Sequence, residues 1–389
     1  MKEDTIYMEF ITWLGKTWWE LPESEHLLPM IKANYTPEEA AFLTGFPHAH
    51  TSQEDLAEAK GVSPGELAPR LTELGRKGMI YKSKRGDSVR YRLNDTFMAL
   101  LRANLWPGHT DQRQKASAPA INKYMLDNWF EQYNEVHHRG LRTLPIAQTI
   151  KDVRAILPYE DAVKVVEGFE YYTVSTCPCR HRHNLDPGQK DCPHPTETCL
   201  HFDDLGRYIV EHDLGREITK EETLDILKMS ADSGLVHGIS TWQKKPDTIC
   251  NCCSCCCMFL ESYHKLGHAK SLDPSNYRVA VEAETCKACG LCVKRCPMDA
   301  LQLKYSPLAK NKFGKAVAVD EDLCLGCGVC VHKCPTGSLT LAQCDEIKPP
   351  PETVRDYMQA YMVDRLTTKK DGKKTRRTET KGKRSSTYG

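Results

Sequence analysis

Cysteine is the residue type that most constrains this chain. All 19 cysteines follow residue 176, where they form four groups at positions 177–199, 250–257, 286–296 and 324–334, with Cys344 alone beyond them. Thiols that are concentrated in this way either form disulfides or bind metal, and the compartment decides between the two. The first 176 residues carry no thiol chemistry and must serve another purpose.

Composition and the first residues predict a cytoplasmic protein of several domains. The 389 residues exceed one ordinary core, and 40% of them are hydrophobic, which is enough for packed domains. Glu3 and Asp4 stand where a signal peptide would be basic, and no apolar run approaches the ~20 residues that span a bilayer. The 53 basic and 52 acidic residues balance, so overall charge favours neither nucleic acid nor membrane. In a reducing cytoplasm, the cysteines are expected to bind metal.

The last two cysteine groups repeat one motif. Residues 285–297 read TCKACGLCVKRCP and residues 323–335 read LCLGCGVCVHKCP, each with the spacing C-x2-C-x2-C-x3-C-P. A tight loop brings three thiolates to three corners of one cubane, while the next turn points the fourth toward another cluster. The motif therefore predicts two [4Fe–4S] clusters that exchange their fourth ligands. The first set is Cys286, Cys289, Cys292 and Cys334, and the second is Cys324, Cys327, Cys330 and Cys296.

Two zinc sites are the alternative interpretation of this repeat. Zinc needs four thiolates per site but no CxxCxxC triplet followed by Cys-Pro, so we set it aside. Residues 278–341 resemble the two-cluster ferredoxin domain family, which implies two [4Fe–4S] clusters close enough for fast electron transfer. The 27 residues between the last cysteine of the first motif and the first cysteine of the second, residues 297–323, are expected to contain a hairpin near residues 310–315. This hairpin could form a partner surface. Cys344 is expected to be a buried structural thiol.

The first two cysteine groups have a different pattern. Residues 175–201 read STCPCRHRHNLDPGQKDCPHPTETCLH, and residues 249–258 read ICNCCSCCCM. Arg180 and Arg182 lie beside the first thiols and are expected to lower their pKa values. Neighbouring side chains point apart, so we expect some of the crowded thiols to bind metal and others to pack. The candidate ligands are Cys177, Cys179, Cys192, Cys199, Cys250, Cys252, Cys253, Cys255, Cys256 and Cys257.

Two interpretations of these ten cysteines stay open. In the first, they hold one or two further iron–sulfur clusters, with one group lending a ligand to the other. In the second, a structural zinc binds the four cysteines of the first group, Cys177, Cys179, Cys192 and Cys199. We favour iron–sulfur, because the downstream clusters give an electron somewhere to go. The nearby histidines are expected to be surface or hydrogen-bonding residues; they are His181, His183, His194 and His201.

The whole succession of cysteine groups resembles one kind of protein. A Cys-Pro-Cys-Arg segment, a distant Cys-Leu, the ICNCCSCCC run and two ferredoxin motifs follow one another over about residues 157–341. This order is similar to that of a family of long 4Fe–4S dicluster ferredoxin-domain proteins of anaerobic bacteria. The resemblance implies an iron–sulfur electron-transfer subunit of a larger redox assembly, and it names no partner enzyme.

Residues 35–94 predict three helices and a hairpin. Helix-capping patterns begin at residues 36, 51 and 63, and two β-prone segments, 79–82 and 88–93, flank a turn at 86–87. This order resembles the winged-helix family. A major-groove reader needs Arg, Lys, Asn or Gln early in the third helix, whereas this helix offers Glu66, Ala68 and Pro69. We therefore expect the segment to dock on protein rather than on DNA.

The predicted fold class is multidomain α+β. We expect an N-terminal helix with a winged-helix-like domain over residues 1–106, a polar linker over 107–119, a helical cysteine-rich iron–sulfur domain over 120–277 and a two-cluster bacterial ferredoxin fold over 278–345. A C-terminal helix at 346–365 and a disordered basic tail at 366–389 follow. The tail carries nine basic residues against two acidic ones, which is typical of a solubilising tail or of an arm that docks on an acidic partner.

The expected function is electron transfer without catalysis. The chain has no GxGxxG fingerprint, no P-loop and no recognisable set of nucleophile and base. We expect a subunit that relays single electrons through several [4Fe–4S] clusters and connects a flavin or metal oxidoreductase to a carrier. One alternative is a redox-responsive winged-helix DNA-binding regulator, although nucleic acid is not the expected partner. Another is an enzyme that binds its substrate at an open iron of a middle cluster.

Overall fold

Five helices and a small sheet form the N-terminal region. The computed structural model describes residues 2–17, 21–152, 156–269 and 271–382. Capping boxes start α3, at Thr36 and Glu39, and α5, at Ser63 and Glu66. The three strands pair antiparallel in the order β1-β3-β2. The elements are α1 Lys2–Leu14, α2 Leu27–Asn34, α3 Pro37–Leu43, β1 Thr51–Ser52, α4 Gln53–Lys60, α5 Pro64–Arg76, β2 Ile80–Arg85 and β3 Ser88–Leu93.

The segment predicted as a linker at 107–119 is largely a packed helix. After a π-helical segment at Phe97–Ala103, α6 runs over Gln112–Tyr124, followed by a π-helical turn at Met125–Trp129 and α7 at Phe130–Glu135. Ser117 donates to Asn34 Oδ1 at 2.7 Å, and Gln114 donates to the Asn104 carbonyl at 2.5 Å. Gln114 and Ser117 are therefore buried and hydrogen-bonded, although most other polar residues of the segment are exposed. A count of polar residues does not distinguish these two cases.

The middle region, residues 141–266, is built on a sheet, so the expectation of a helical domain there is wrong. Six strands pair antiparallel in the order β4-β8-β9-β6-β5-β7. Every residue of β8 is buried, and its short run of mixed small and apolar residues gave no alternating pattern. The strands are β4 Leu141–Leu144, β5 Tyr172–Thr176, β6 Glu197–Phe202, β7 Arg216–Ile218, β8 Val236–Ser240 and β9 Thr248–Cys252.

Helices cover this sheet and position its cysteines. Asp161 and Thr219 cap α8 and α11, while α9 and α12 each begin directly after a cysteine. Two 3-10 turns, Ala147–Thr149 and Pro158–Glu160, join β4 to the first of these helices. The helices are α8 Ala162–Glu167, α9 Pro178–Leu185, α10 Asp203–Glu211, α11 Lys220–Asp232 and α12 Met258–Leu266.

The dicluster region, residues 277–343, consists of two strand pairs and two short helices. Strand β10 pairs with β13, and β11 pairs with β12, which confirms the hairpin expected between the motifs. Arg295 donates to the Ala231 carbonyl at 3.0 Å and so attaches this region to the end of α11. The elements are β10 Tyr277–Val281, α13 Leu291–Arg295, β11 Leu301–Tyr305, β12 Lys315–Val319, α14 Val329–His332 and β13 Leu339–Gln343.

The C-terminal helix differs from the predicted bounds at both ends. Helix α15 begins at Val354 rather than at 346, because the prolines at 349–351 precede it and Thr353 caps it. It continues to Gly382, past residue 365, because no proline interrupts the basic segment. Residues 383–389 of the predicted disordered tail lie outside the described residues. Within the described part of the chain, no helix combines the length and the hydropathy needed to cross a bilayer.

One continuous apolar core connects the three parts of the molecule. Phe10 from α1, Phe130 from α7, Phe259 from α12 and Leu325 from the second cysteine motif all belong to it. A separate core contains Cys286 and Cys292 of the first motif together with Cys330 of the second. The first two cysteines of the second motif, Cys324 and Cys327, belong instead to the main core.

Candidate metal centres

The two cysteine motifs fold as a repeated backbone shape. In each, a loop carrying the first two cysteines leads into a short helix, α13 or α14, and a Cys-Pro turn follows. Residues with positive φ occupy equivalent positions 38 residues apart. Left-handed residues in a loop turn successive N–H groups to one side, and such nests bind anionic centres that include iron–sulfur clusters. The equivalent pairs are Ala288 and Gly326, Gly290 and Gly328, and Asp299 and Gly337.

The first predicted ligand set surrounds one pocket. Among the described residues, the only cysteines that line it are the four that the motif predicted, three from the first repeat and one from the second. The hydroxyls of Ser338 and Thr336 lie 3.4 and 3.7 Å from the Sγ of Cys334. Burial opposes ionisation, but hydrogen bonds from these hydroxyls lower the pKa of Cys334 to about 7. The four are Cys286, Cys289, Cys292 and Cys334.

The cysteines of the second predicted ligand set are more buried than those of the first. Cys324, Cys327 and Cys330 are buried, and Cys296 is half-buried. Burial, with added repulsion from Cys296 and Cys324, raises the pKa of Cys327 to about 12. Burial also raises the pKa of Cys330, and repulsion from Cys327, Cys296 and Cys324 adds to this shift. Burial and neighbouring thiols raise the pKa values of Cys296, Cys327 and Cys330, and a cationic centre would offset this effect, so the donor set fits a cubane.

The two sets are adjacent. Helices α13 and α14 pack against each other, and Cys292 is among the groups whose charge raises the pKa of Cys330. Their exposure differs, because Cys289 of the first set is exposed to solvent. Electrons on the two centres would therefore have different access to a partner at the surface.

Six of the ten middle cysteines form a second kind of site, which we call the six-thiol group. Together with Cys253, Arg102 and Met258, they line a cavity of about 510 Å³. The sheet and two helix starts bring them together: β6 and β9 supply three, and the first turns of α9 and α12 supply the others. Helix N-termini stabilise thiolates, so two of these positions favour ligation. The group consists of Cys177, Cys179, Cys199, Cys250, Cys252 and Cys257.

The thiols of this group interact as one connected series. Hydrogen bonds from Cys199 and Cys252 hold the pKa of Cys250 well below its ordinary value. Hydrogen bonds from Cys179 and Cys252 lower the pKa of Cys257 to about 5. Each thiolate-prone cysteine is thus flanked by thiols that donate to it. The donor set offers more sulfur than the four ligands of one cubane, so it fits a cluster with thiols to spare.

The other four middle cysteines form a compact group, which we call the tetrathiol group. Their sulfurs all lie within 4.8 Å of one another. In the described chain no other set of three or more possible ligands is this close. The four cysteines of the first group do not form the zinc site that we considered. Cys192 lies in the tetrathiol group, whereas Cys177, Cys179 and Cys199 line the cavity. The tetrathiol group is Cys192, Cys253, Cys255 and Cys256.

Arg180 and Arg182 are both buried, in different roles. Arg180 donates to the Asn251 carbonyl at 2.8 Å and lies 3.8 Å from the Sγ of Cys253. The hydrogen bond with Cys179, together with burial, raises the pKa of Cys177, and Arg180 offsets only part of this rise. The expected lowering is therefore outweighed at this thiol.

Arg182 instead forms a buried ion pair. It donates to Glu261 Oε2 at 2.5 Å and to the Cys256 carbonyl at 3.2 Å, and both side chains are nearly inaccessible to solvent. Sequence reasoning missed Glu261, which lies 79 residues away. It also missed Arg102, which donates to Thr248 at 2.7 Å beside the six-thiol group. No local sequence pattern marks Arg102 or Glu261. Arg102 lies in the π-helical segment and Glu261 in α12, and only the folded structure brings them to the cysteines.

The nearby histidines form ordinary hydrogen bonds. His181 Nε2 lies 2.6 Å from the His109 carbonyl, His183 Nε2 lies 2.8 Å from the Lys190 carbonyl, and His201 Nδ1 lies 3.3 Å from the Thr248 hydroxyl. Burial lowers the pKa of His194. None of these four belongs to the close ligand set found among the described residues.

Cys344 is half-buried rather than buried. Its backbone N–H donates to the Asn276 carbonyl at 2.9 Å, just beyond β13. It lines none of the cysteine pockets given above. It therefore offers a thiol whose substitution should leave the metal centres intact.

The N-terminal hairpin packs on the middle region. Lys82 of β2 forms an ion pair with Glu211 of α10, and the rings of Tyr81 and Tyr208 lie 4.7 Å apart. Arg92 lies over the Tyr81 ring at 4.8 Å. Two basic side chains of the hairpin, those of Lys82 and Arg92, are thus engaged within the chain.

Comparison with known proteins gives one match. A family model described as a 4Fe-4S dicluster domain matches residues 285–338. The match covers both cysteine motifs and the hairpin between them. No curated protein and no solved structure matches the chain.

Proposed function

We propose that this protein is an iron–sulfur electron-transfer subunit of a larger oxidoreductase. The observation that carries the proposal is the dicluster domain, in which three cysteines of the first motif and one of the second line one pocket. The ligands would be Cys286, Cys289, Cys292 and Cys334 for one cluster and Cys324, Cys327, Cys330 and Cys296 for the other. Each cubane, when bound, accepts and returns one electron.

The six-thiol group would hold a third cluster in line with these two. Cys252 and Cys257 share an apolar core with Cys324 and Cys327, whereas Cys286 and Cys292 of the first motif belong to a smaller core. Helix α12 starts after Cys257 and ends near the dicluster region, where its His264 Nε2 lies 2.8 Å from the Pro297 carbonyl. This packing supports a route from the six-thiol group through the buried cluster to the more exposed one.

The β11–β12 hairpin would be the partner surface at the exposed end of that route. Three large apolar side chains stand on it, with exposed fractions of 79% for Tyr305, 63% for Leu308 and 57% for Phe313. Residues 304–315 contain four lysines and no acidic residue. Asn311 donates to the Cys286 carbonyl at 2.8 Å, so the hairpin is attached to a cluster loop. An apolar centre with a basic rim favours an acidic redox protein.

Iron analysis tests the proposal. Protein purified without oxygen should be brown and contain about twelve irons and twelve sulfides per chain, as three cubanes require. Electron paramagnetic resonance of the dithionite-reduced protein should show interacting clusters. A colourless, iron-poor preparation contradicts the proposal.

Transfer kinetics test the partner surface separately. With an acidic flavodoxin as the acceptor, a variant carrying Leu308→Ser and Phe313→Ser should react about tenfold more slowly at low salt. Ferricyanide, which needs no docking surface, should oxidise the variant and the wild type at the same rate. Equal rates with flavodoxin contradict the assignment of the hairpin and leave the clusters untouched.

One observation favours a second candidate, an enzyme whose substrate binds at the middle cluster. The cavity of about 510 Å³ is lined by seven thiols, those of the six-thiol group and Cys253, and also by Arg102 and Phe97, so it has more ligands and more space than one cubane needs. Cyanide would bind an iron that lacks a thiolate. A change in the paramagnetic resonance of the middle cluster upon adding cyanide supports this candidate, and an unchanged spectrum excludes it.

A further inference from the structure

We infer that the tetrathiol group binds a single zinc ion that clamps a loop of the middle region. The four sulfurs come from two places, Cys192 in a loop and three cysteines in the turn before α12. The Sγ of Cys192 lies 3.6 Å from that of Cys255 and 3.9 Å from that of Cys253. The Sγ atoms of Cys255 and Cys256 lie 3.5 Å apart. This inference does not depend on the proposed electron-transfer function.

The sulfur separations correspond to one ion rather than to a cubane. Zinc–sulfur bonds of about 2.3 Å in a tetrahedron place neighbouring sulfurs about 3.8 Å apart. The observed separations of 3.5–3.9 Å lie around that value. Four irons and four sulfides cannot fit between sulfurs this close, because each thiolate of a cubane binds a different corner iron. The dense cysteine run is thus shared between two kinds of centre.

The charges around the group match a zinc tetrathiolate. Binding replaces four S–H bonds with four Zn–S bonds and releases four protons to solvent, which leaves a centre with two net negative charges. The guanidinium of Arg180 lies 3.8 Å from the Sγ of Cys253, and its own exposure is 0%. Its other described hydrogen-bond partners, the Asn251 carbonyl and the Thr198 hydroxyl, are uncharged. An anionic metal centre would compensate this buried cation.

The position of the group favours zinc over iron. Its buried members pack with Leu235 in a small core of their own, apart from the core that connects the six-thiol group to the dicluster region. Four thiolates fill a tetrahedral site and leave no open position, which is the arrangement of structural zinc. A redox-inert ion is sufficient for a closed site of this kind.

The zinc ion would stabilise the loop that carries Cys192. Residues 186–196 contain no helix or strand, and their described anchors are few, among them the Cys192 N–H bond to Asn184 Oδ1 at 3.0 Å. The turn at the other side of the group leads directly to Cys257, which lines the cavity. A zinc ion would therefore fix the loop and hold the turn that positions Cys252 and Cys257.

Zinc absorption spectroscopy of the full wild-type chain tests the inference. Protein purified without oxygen and without added metal should contain about one zinc per chain, with four sulfurs at about 2.3 Å in the zinc-edge fine structure. A shell containing nitrogen or oxygen, or the absence of zinc, overturns the inference. This measurement needs no variant and does not depend on whether a variant folds.

Variants locate the ion. Cys255→Ser should remove zinc while leaving the iron content unchanged, and trypsin should then cleave after Lys190, an exposed residue of the loop. Cys344→Ser is the matched control and should keep both metals. If Cys255→Ser instead loses about four irons, the group holds a cubane and the inference is wrong. An iron-poor protein that still carries zinc on four sulfurs would contradict the proposed function and support this site.

Discussion

The dicluster region and the middle region both gather cysteines, but by different means. In the dicluster region each motif folds its own loop, with left-handed residues at matching positions, and Cys334 of the second motif lines the pocket of the first. In the middle region β6, β9, two helix starts and a loop supply the thiols, and the packing of these elements brings them together. Local sequence specifies the first arrangement, whereas the second depends on long-range packing. The two regions should therefore respond differently to substitution.

The largest effect is expected from the exchanged ligands. Cys296→Ala should remove the cluster of the second motif, although residue 296 belongs to the first, and Cys334→Ala should remove the cluster of the first. Each variant should lose about four irons and retain the other dicluster signal in paramagnetic resonance. Cys344→Ala, outside both sets, should keep all the iron. If Cys296→Ala abolished the signal of its own motif instead, the exchange would be disproved.

The next largest effect should come from the buried ion pair of the middle region. Arg182→Met leaves the buried carboxylate of Glu261 with Lys265, whose side chain is 39% exposed, as its remaining ionic partner, which should lower the free energy of unfolding by about 3 kcal/mol. Adding Glu261→Gln to the same chain should restore much of the loss, because the buried carboxylate charge is then gone. Urea unfolding followed by circular dichroism measures both variants.

An exposed ion pair of the dicluster region is the matched comparison. Lys310 and Glu284 form it with exposed fractions of 71% and 46%. Lys310→Met should unfold at the wild-type urea concentration, because solvent screens such a pair. If the two pairs had equal effects, the middle region would not depend on long-range packing more than its neighbour does.

The same difference explains what the sequence could predict. The spacing of the two motifs was sufficient to predict the four cysteines that line one pocket of the dicluster region, whereas the second ligand set stays a prediction. In the middle region the sequence identified the ten candidate cysteines but not the two groups that they form. Cys192 and Cys253 are 61 residues apart in the sequence, and only the folded structure places their sulfurs 3.9 Å apart. The strand β8 and the helix α6 were missed, since buried polar groups such as Ser117 resemble loop residues until their partners are known.

A smaller effect should distinguish the two halves of the repeat. Gly326 has a φ of 65°, and a Cβ there would lie 2.1 Å from the Tyr277 carbonyl oxygen. Gly326→Ala should therefore lower stability by at least about 1–2 kcal/mol, the steric cost of a left-handed residue. At the equivalent position Ala288 already has a φ of 52°, so Ala288→Gly should raise stability by about 1 kcal/mol. Thermal unfolding of the two variants should shift in opposite directions; shifts of the same sign would show that the halves are not equivalent.

The smallest effect concerns helix α15, which returns from the dicluster region to the loop after α7. Asp364 accepts a hydrogen bond from the backbone N–H of His138 at 2.9 Å. Burial alone would raise the pKa of Asp364, but hydrogen bonds from His138 and His137 outweigh this effect and lower it. A carboxylate with a lowered pKa stabilises the folded state above its unfolded pKa, and this contribution disappears as the pH falls through the folded value.

Asp364→Asn should therefore lower the free energy of unfolding by about 1 kcal/mol at pH 7. The difference from wild type should shrink toward pH 3, where the wild-type carboxyl also takes up a proton. Urea midpoints measured across that range test the sign. Asp356→Asn, on the same helix but at its exposed cap, is the control for the helix itself. If both variants changed stability equally at every pH, α15 would be held by its own cap, and the long-range dependence of the middle region would not extend to its C-terminal helix.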